Sequence, residues 1–189
     1  AETIASPAEY GYRNKIELTA GPEGARTLGF LRAHGSDLVP IDACPLLPKQ
    51  ASRLPRSLAG ALRFLASRGA EGVLRASVRV SGSGEIAIDV WTAPGPFPRA
   101  AAARVIAEST HARSFTRTLV RDASKRDIAG VEVLAGPGVW TETLGGDRYV
   151  VSAPSFFQVN PAGAALLRAH AMRLLDPAGP MRLADLYAG

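Results

Sequence analysis

Along the first third of the chain apolar and polar positions alternate with the period of a β-strand. Tyr12–Ala20 (YRNKIELTA) reads as one strand, GPEGAR supplies turn residues, and Thr27–Arg32 (TLGFLR) returns, which predicts a β-hairpin. The stretch LVPIDACPLLP carries Pro40, Pro45 and Pro48 close together and reads as an irregular connection, because proline cannot donate to a ladder. The period then lengthens. Leu54, Leu58, Ala61, Leu62 and Leu65 recur at helical spacing and predict an amphipathic helix from Pro55 to Arg68, with Ser52 or Arg53 ahead of the proline in its first turn. Gly72–Val80 and Glu85–Thr92 alternate again on either side of SGSG, a second hairpin. After the break APGPFP, Arg99–Ser109 reads as a helix, and SFTRTLV, VEVLAG, VWTETL and RYVVSAP as short strands. Paired strands with two interposed helices predict an α+β domain, a mixed or antiparallel sheet with helices on one face.

The pattern changes at Asn160. Asn160-Pro161 places a capping residue directly before a proline at the first helical position, and AGAALLRAHAMRLL continues as a helix until DPAGP. The closing run MRLADLYAG reads as a buried strand followed at once by glycine, the way a Rossmann-type nucleotide site begins; the further glycines and later strands of such a site are not in the chain. No internal repeat is present.

With 189 residues, 47% hydrophobic and 21% charged, the chain can hold a core without staples, and its single cysteine excludes an internal disulfide. It has no run of about 18 apolar residues and no basic-then-apolar leader, so the expected location is the cytoplasm. A first residue of Ala rather than Met reads as a processed start or a chain cut from something longer. The net charge of +5 makes an acidic partner such as RNA plausible, although the 19 arginines and 3 lysines are spread along the chain and a compositional bias accounts for them equally well.

Few residues offer chemistry. In Ser155–Asn160 (SFFQVN) two aromatics and an amide precede the capped helix. Aromatic faces stack on bases and Gln158 both donates and accepts, but on the residues alone the reading of Phe156 and Phe157 as core residues, with Asn160 only a cap, comes first. Cys44 is a ligand, a nucleophile or a small buried hydrophobe; no spacing pairs it with His34 or His111, and no second cysteine completes a metal set. His170 lies within the last helix, where packing or exposure is its ordinary role. Neither a G-x-S-x-G, a P-loop nor an H-E-x-x-H occurs.

Taken in order, three segments resemble one family, the S-adenosylmethionine-dependent RNA uracil-C5 methyltransferases that make 5-methyluridine in rRNA and tRNA. Tyr12-Arg13-Asn14-Lys15-Ile16-Glu17-Leu18, with Leu28-Gly29-Phe30 and Val39-Pro40-Ile41-Asp42-Ala43-Cys44-Pro45-Leu46-Leu47, is similar to that family's central domain. Phe156-Phe157-Gln158-Val159-Asn160 and, some 25 residues on, Asp185-Leu186-Tyr187-Ala188-Gly189 resemble the start of its methyltransferase domain. The resemblance implies an α+β central domain over 1–150 and the first helix and strand of a Rossmann-like cofactor domain over 151–189. It implies S-adenosylmethionine contacts at Gln158, Asp185, Tyr187 and Gly189, and RNA contacts at Arg13 and Phe156. Cys44 matches the last of four cysteines that hold an iron-sulfur cluster in the rRNA branch, and the other three are absent from this chain. Family members commonly have Cys where Ala188 stands, a position that is not the nucleophile.

The family's chemistry, as the resemblance implies it, has a cysteine thiolate add to uracil C6, the enolate attack the sulfonium methyl group, and a carboxylate remove the C5 proton. With Cys44 on another motif, the chain has no candidate nucleophile. The expectation is therefore part of an RNA methyltransferase, inactive by itself, with a stand-alone RNA-binding module without catalysis as the alternative and a plain scaffold domain as a third reading.

Overall fold

The computed structural model describes residues 3–122 and 127–175, together with the single residues 179, 182, 184 and 186. Its elements are β1 (Lys15–Gly21), β2 (Gly24–Leu31), β3 (Leu38–Pro40), α1 (Leu54–Ala66), β4 (Val73–Val80), β5 (Ile86–Thr92), α2 (Arg99–Thr110), β6 (Ser114–Asp122), β7 (Asp127–Ala135), β8 (Val139–Leu144), β9 (Asp147–Ser152) and α3 (Pro161–Leu175). Seven strands form one sheet in the order β3-β2-β1-β4-β5-β6-β7, and β8 and β9 form a separate hairpin. Every pairing in the large sheet is antiparallel except β5–β6, which is parallel because α2 intervenes between them.

Strand alternation divides the sheet into two chemically different faces. Ile16 and Leu18 from β1, Ala76, Val78 and Val80 from β4, Ile88 and Val90 from β5 and Phe115 from β6 are buried in a single core. On that face α1 contributes Leu58, Ala61, Leu62 and Leu65, and α2 contributes Ala102 and Ile106, the helices lying against each other. The expected layer of helices on one face is thus present.

The structure differs from the sequence reading at several points. Within the connection expected to be irregular, Leu38–Pro40 pairs with β2 as a three-residue edge strand, where the missing N–H of Pro40 faces no partner. Gly29 permits that pairing, because a Cβ there would collide with the Val39 carbonyl. Helix α1 starts at Leu54 and ends at Ala66, and neither Ser52 nor Arg53 caps it through a side chain; Ser52 Oγ donates instead to the Lys49 carbonyl. Strand β7 begins at Asp127, four residues earlier than expected. The break APGPFP is held from the core side by Arg117, whose guanidinium donates to Thr92 Oγ1 (2.7 Å) and to the carbonyls of Ala93 and Gly95, and lies over Phe97. His111, weighed above as a base for Cys44, ends α2 in a left-handed conformation with φ 55°. The helix expected after Asn160 is present as α3, and the anticipated last strand falls largely outside the described residues.

Candidate functional site

The second face of the sheet is polar yet buried. Ser77 and Arg79 from β4, Asp89 and Trp91 from β5, and Thr116 and Thr118 from β6 point away from the helices and are covered. The cover is the β8–β9 hairpin, whose Trp140 and Val151 are themselves buried and line a small cleft together with Arg79, Asp89 and Thr116. Two carboxylates fix the hairpin by accepting backbone amides. Glu142 takes Gly82 N (3.1 Å) and Thr143 N (3.0 Å), and Glu85 takes Thr141 N (3.2 Å) while pairing with Arg113. Such charge-assisted bonds are stronger than neutral ones and set the register of hairpin on sheet.

Asp89 accepts from Trp91 Nε1 (2.6 Å), Thr116 Oγ1 (2.8 Å) and Thr118 Oγ1 (3.0 Å). Burial raises its pKa from the ordinary carboxylate value to about 6, against the opposing pull of these three donors and of Lys15. Arg79 is only 3% exposed; burial lowers its pKa and the charge of Asp89 raises it. One guanidinium nitrogen donates to the Ser155 carbonyl, the group lies 5.3 Å from the Trp140 ring centre, and Nε and Nη1 have no hydrogen-bond partner among the described residues.

Asn14 joins these parts. Its backbone N–H donates to the Val159 carbonyl (2.9 Å), its side-chain amide donates to the Gln158 carbonyl (3.0 Å) and to Glu142 (3.4 Å), and its own carbonyl accepts from Val80. The start of β1 is thereby clipped to the segment between β9 and α3, although 144 residues separate Asn14 from Gln158. The segment also sorts its side chains. Phe157 turns inward, edge-on to Trp140 (5.7 Å) and Tyr149 (5.5 Å), whereas Phe156 is 82% exposed and Gln158 is exposed on the outside. Beyond it Asn160 caps α3 as expected, its Oδ1 accepting from Gly163 N at 2.9 Å.

The residues singled out from sequence now have places. Arg13 stands beside the clip, with its backbone bonded to Leu46 and its Nε buried without a hydrogen-bond partner among the described residues. Phe156 and Gln158 lie on the same junction, and the two readings of the aromatic pair divide: Phe157 packs and Phe156 does not. The Gln158 side chain is exposed and makes no hydrogen bond among the described residues. Asp185, Tyr187 and Gly189 lie outside the described residues. Cys44 is buried in the aliphatic core, and no group of three His, Cys, Asp or Glu able to hold a metal occurs among the described residues. Sequence reasoning passed over Arg79, Asp89 and Glu142. For Arg79 and Asp89 the signal was available in β4 and β5, where VLRASVRV and IAIDVWT put charges between apolar residues of interior strands.

No family model matches the sequence. Among curated proteins, the chain is 30% identical over 190 residues to a 23S rRNA (uracil(1939)-C(5))-methyltransferase, RlmD, of Salmonella choleraesuis, covering 98% of this chain and 41% of that protein. It is 29% identical over 197 residues to an uncharacterised RNA methyltransferase of Thermosynechococcus vestitus, covering 98% of this chain and 43% of the relative. The chain thus spans about two fifths of the length of the curated relatives it matches. Among solved structures, a Pyrococcus abyssi tRNA (uracil-54, C5)-methyltransferase in complex with S-adenosyl-L-homocysteine superposes with a TM-score of 0.70 at 22% identity, over 92% of this chain and 43% of that one. That likeness shows a shared fold.

Proposed function

We propose, from a chain that is a relative of the RNA uracil-C5 methyltransferases over nearly all of its own length, that it serves the transfer of a methyl group from S-adenosylmethionine to C5 of a uridine in rRNA or tRNA. The observation that carries the reading is the Asn14 clip, which brings Arg13 to the same junction as the exposed Phe156 and Gln158.

Residues 1–150 form the RNA-facing domain in this reading, and 151–189 lead into the cofactor domain. A uridine must leave its stack to be methylated, at a cost of a few kcal/mol, and stacking on an aromatic ring returns about 1–3 kcal/mol per base. Phe156, held outward while Phe157 anchors the segment, supplies that ring. Arg13 neutralises a phosphate beside it. Gln158 and, further along, Asp185, Tyr187 and Gly189 would hold S-adenosylmethionine, which supplies an electrophilic methyl group when bound. The Gln158 amide donates and accepts, so it can bind a carboxylate or a hydroxyl and orient the group that carries them. The only cysteine is in the core, so the nucleophile is not among these 189 residues and the chain by itself is inactive.

The test is nucleoside mass spectrometry of unmodified rRNA and tRNA after incubation with labelled S-adenosylmethionine. The gene product that carries this chain should form 5-methyluridine and the 189-residue chain none. RNA binding without product from either would favour the module without catalysis, and turnover by the chain alone would overturn the placement of the nucleophile.

A further inference from the structure

A second basic surface lies outside the junction, along the outer face of α1. Its exposed positions are Arg53, Arg56, Gly60, Arg63, Phe64, Ser67 and Arg68, which a period of 3.6 gathers on one side. No acidic residue occurs from Leu54 to Ala66, and none of these four arginines forms an ion pair among the described residues. Elsewhere on the surface three arginines find carboxylates, Arg99 with Glu132, Arg121 with Asp127 and Arg168 with Asp147, and Arg26, Arg32, Arg104 and Arg148 form no ion pair among the described residues; what sets α1 apart is that its four share one helix face. The stripe is not explained by helix stability either. Arg53 at the N-cap and Arg56 in the first turn stand where the helix dipole favours anions, so they oppose the helix in the absence of a bound anion.

The surface is continuous with the junction. Arg13 N bonds to the Leu46 carbonyl and Cys44 N to the Ser52 carbonyl, so the loop from Cys44 to Ser52 spans from Arg13 to the start of α1. That loop exposes Lys49 beside Tyr10, which is itself exposed. From Arg53 to Arg68 the stripe runs roughly 22 Å, the reach of several nucleotides. At its far end the Arg68 guanidinium lies over Phe64, 3.6 Å from the ring centre, and Phe64 remains exposed.

We propose that α1 is a docking track for the phosphate backbone of the RNA on one side of the target uridine, entered past Lys49 and ending at the Phe64–Arg68 pair. Spaced unpaired arginines with an exposed aromatic fit a single-stranded nucleic acid, whose phosphates pair with guanidinium groups and whose bases stack. The proposal rests on RNA being the partner, and its test does not require methylation.

The 189-residue chain is titrated against a fluorescent 20-nucleotide single-stranded RNA between 50 and 200 mM KCl. The variant Arg53→Gln/Arg56→Gln/Arg68→Gln leaves Arg63 and its bond to the Arg26 carbonyl in place. The control Arg99→Gln/Arg121→Gln/Arg168→Gln removes the same net charge from paired positions. Circular dichroism melts establish that both are folded. The track predicts an affinity loss of about tenfold or more for the first variant at low salt, and a salt slope smaller by about 2, at roughly 0.7 for each phosphate no longer neutralised; the control should lose less than about threefold. Equal losses in the two variants, no loss in the first, or stronger binding to polyglutamate than to RNA would each overturn it. If the gene product makes 5-methyluridine and the first variant binds normally, the track falls while the enzymatic reading stands; if no product forms but the slope changes as stated, the reverse holds.

Discussion

Asp89 shows how one buried carboxyl records the packing above it. Its pKa near 6, against an ordinary value near 3.8, means that the folded state holds its proton more tightly than the unfolded chain does. Stability from this group is therefore complete at low pH and is lost as pH rises from about 4 to about 6. Comparing urea unfolding of the protein and Asp89→Asn across pH 4–8 should show the stability difference shifting in the variant's favour over that window, by roughly 3 kcal/mol in total. A difference independent of pH would place Asp89 in contact with water. Asn14 acts at the same scale by contact rather than by charge. Asn14→Ala removes two side-chain bonds, one to the buried Glu142 and one to the Gln158 carbonyl, and leaves Glu142 short of a donor, with an expected loss of about 1–3 kcal/mol in urea unfolding. Neither residue was singled out from sequence. Asp89 sits in IAIDVWT, where alternation reads as a strand with its polar positions in water, and only the hairpin fifty residues later shows that those positions are covered.

Elements were the most legible part. Both early hairpins, α2 and the capped α3 follow from period and turn residues, because each is decided by neighbours within a few positions. The three-residue β3 was not, since its pairing depends on Gly29 admitting another backbone, and nothing in LVP marks that approach. A Gly29→Ala change should free this edge strand, seen as faster hydrogen exchange at Phe30 and Arg32, whose N–H groups face it, with the rest of the sheet protected. Helix α1 is bound more firmly. Leu62 is fully buried between helix and sheet, so Leu62→Ala should cost about 2–5 kcal/mol in chemical unfolding. Helix α3 contrasts with it: none of its residues is buried and Leu166, Leu167, Met172, Leu174 and Leu175 are exposed, although its cap is well made. Local signals make a helix; they do not say what it packs on.

At the scale of the whole molecule one sheet separates two environments, an aliphatic core under α1 and α2 and a polar layer under the β8–β9 hairpin. The polar layer positions the junction, because Arg79 holds the Ser155 carbonyl and Asn14 holds those of Gln158 and Val159. The motifs quoted from sequence lie far apart along the chain, and nothing in them says that Asn14 bonds to the carbonyls of Gln158 and Val159, since that follows from topology. The assignment of roles at this junction is the central claim, and steady-state methyl transfer by the gene product that carries this chain tests it most directly. Phe156→Ala should raise the KM for RNA about tenfold with the KM for S-adenosylmethionine unchanged, and Gln158→Ala should do the opposite. Both constants unchanged in both variants would contradict the account.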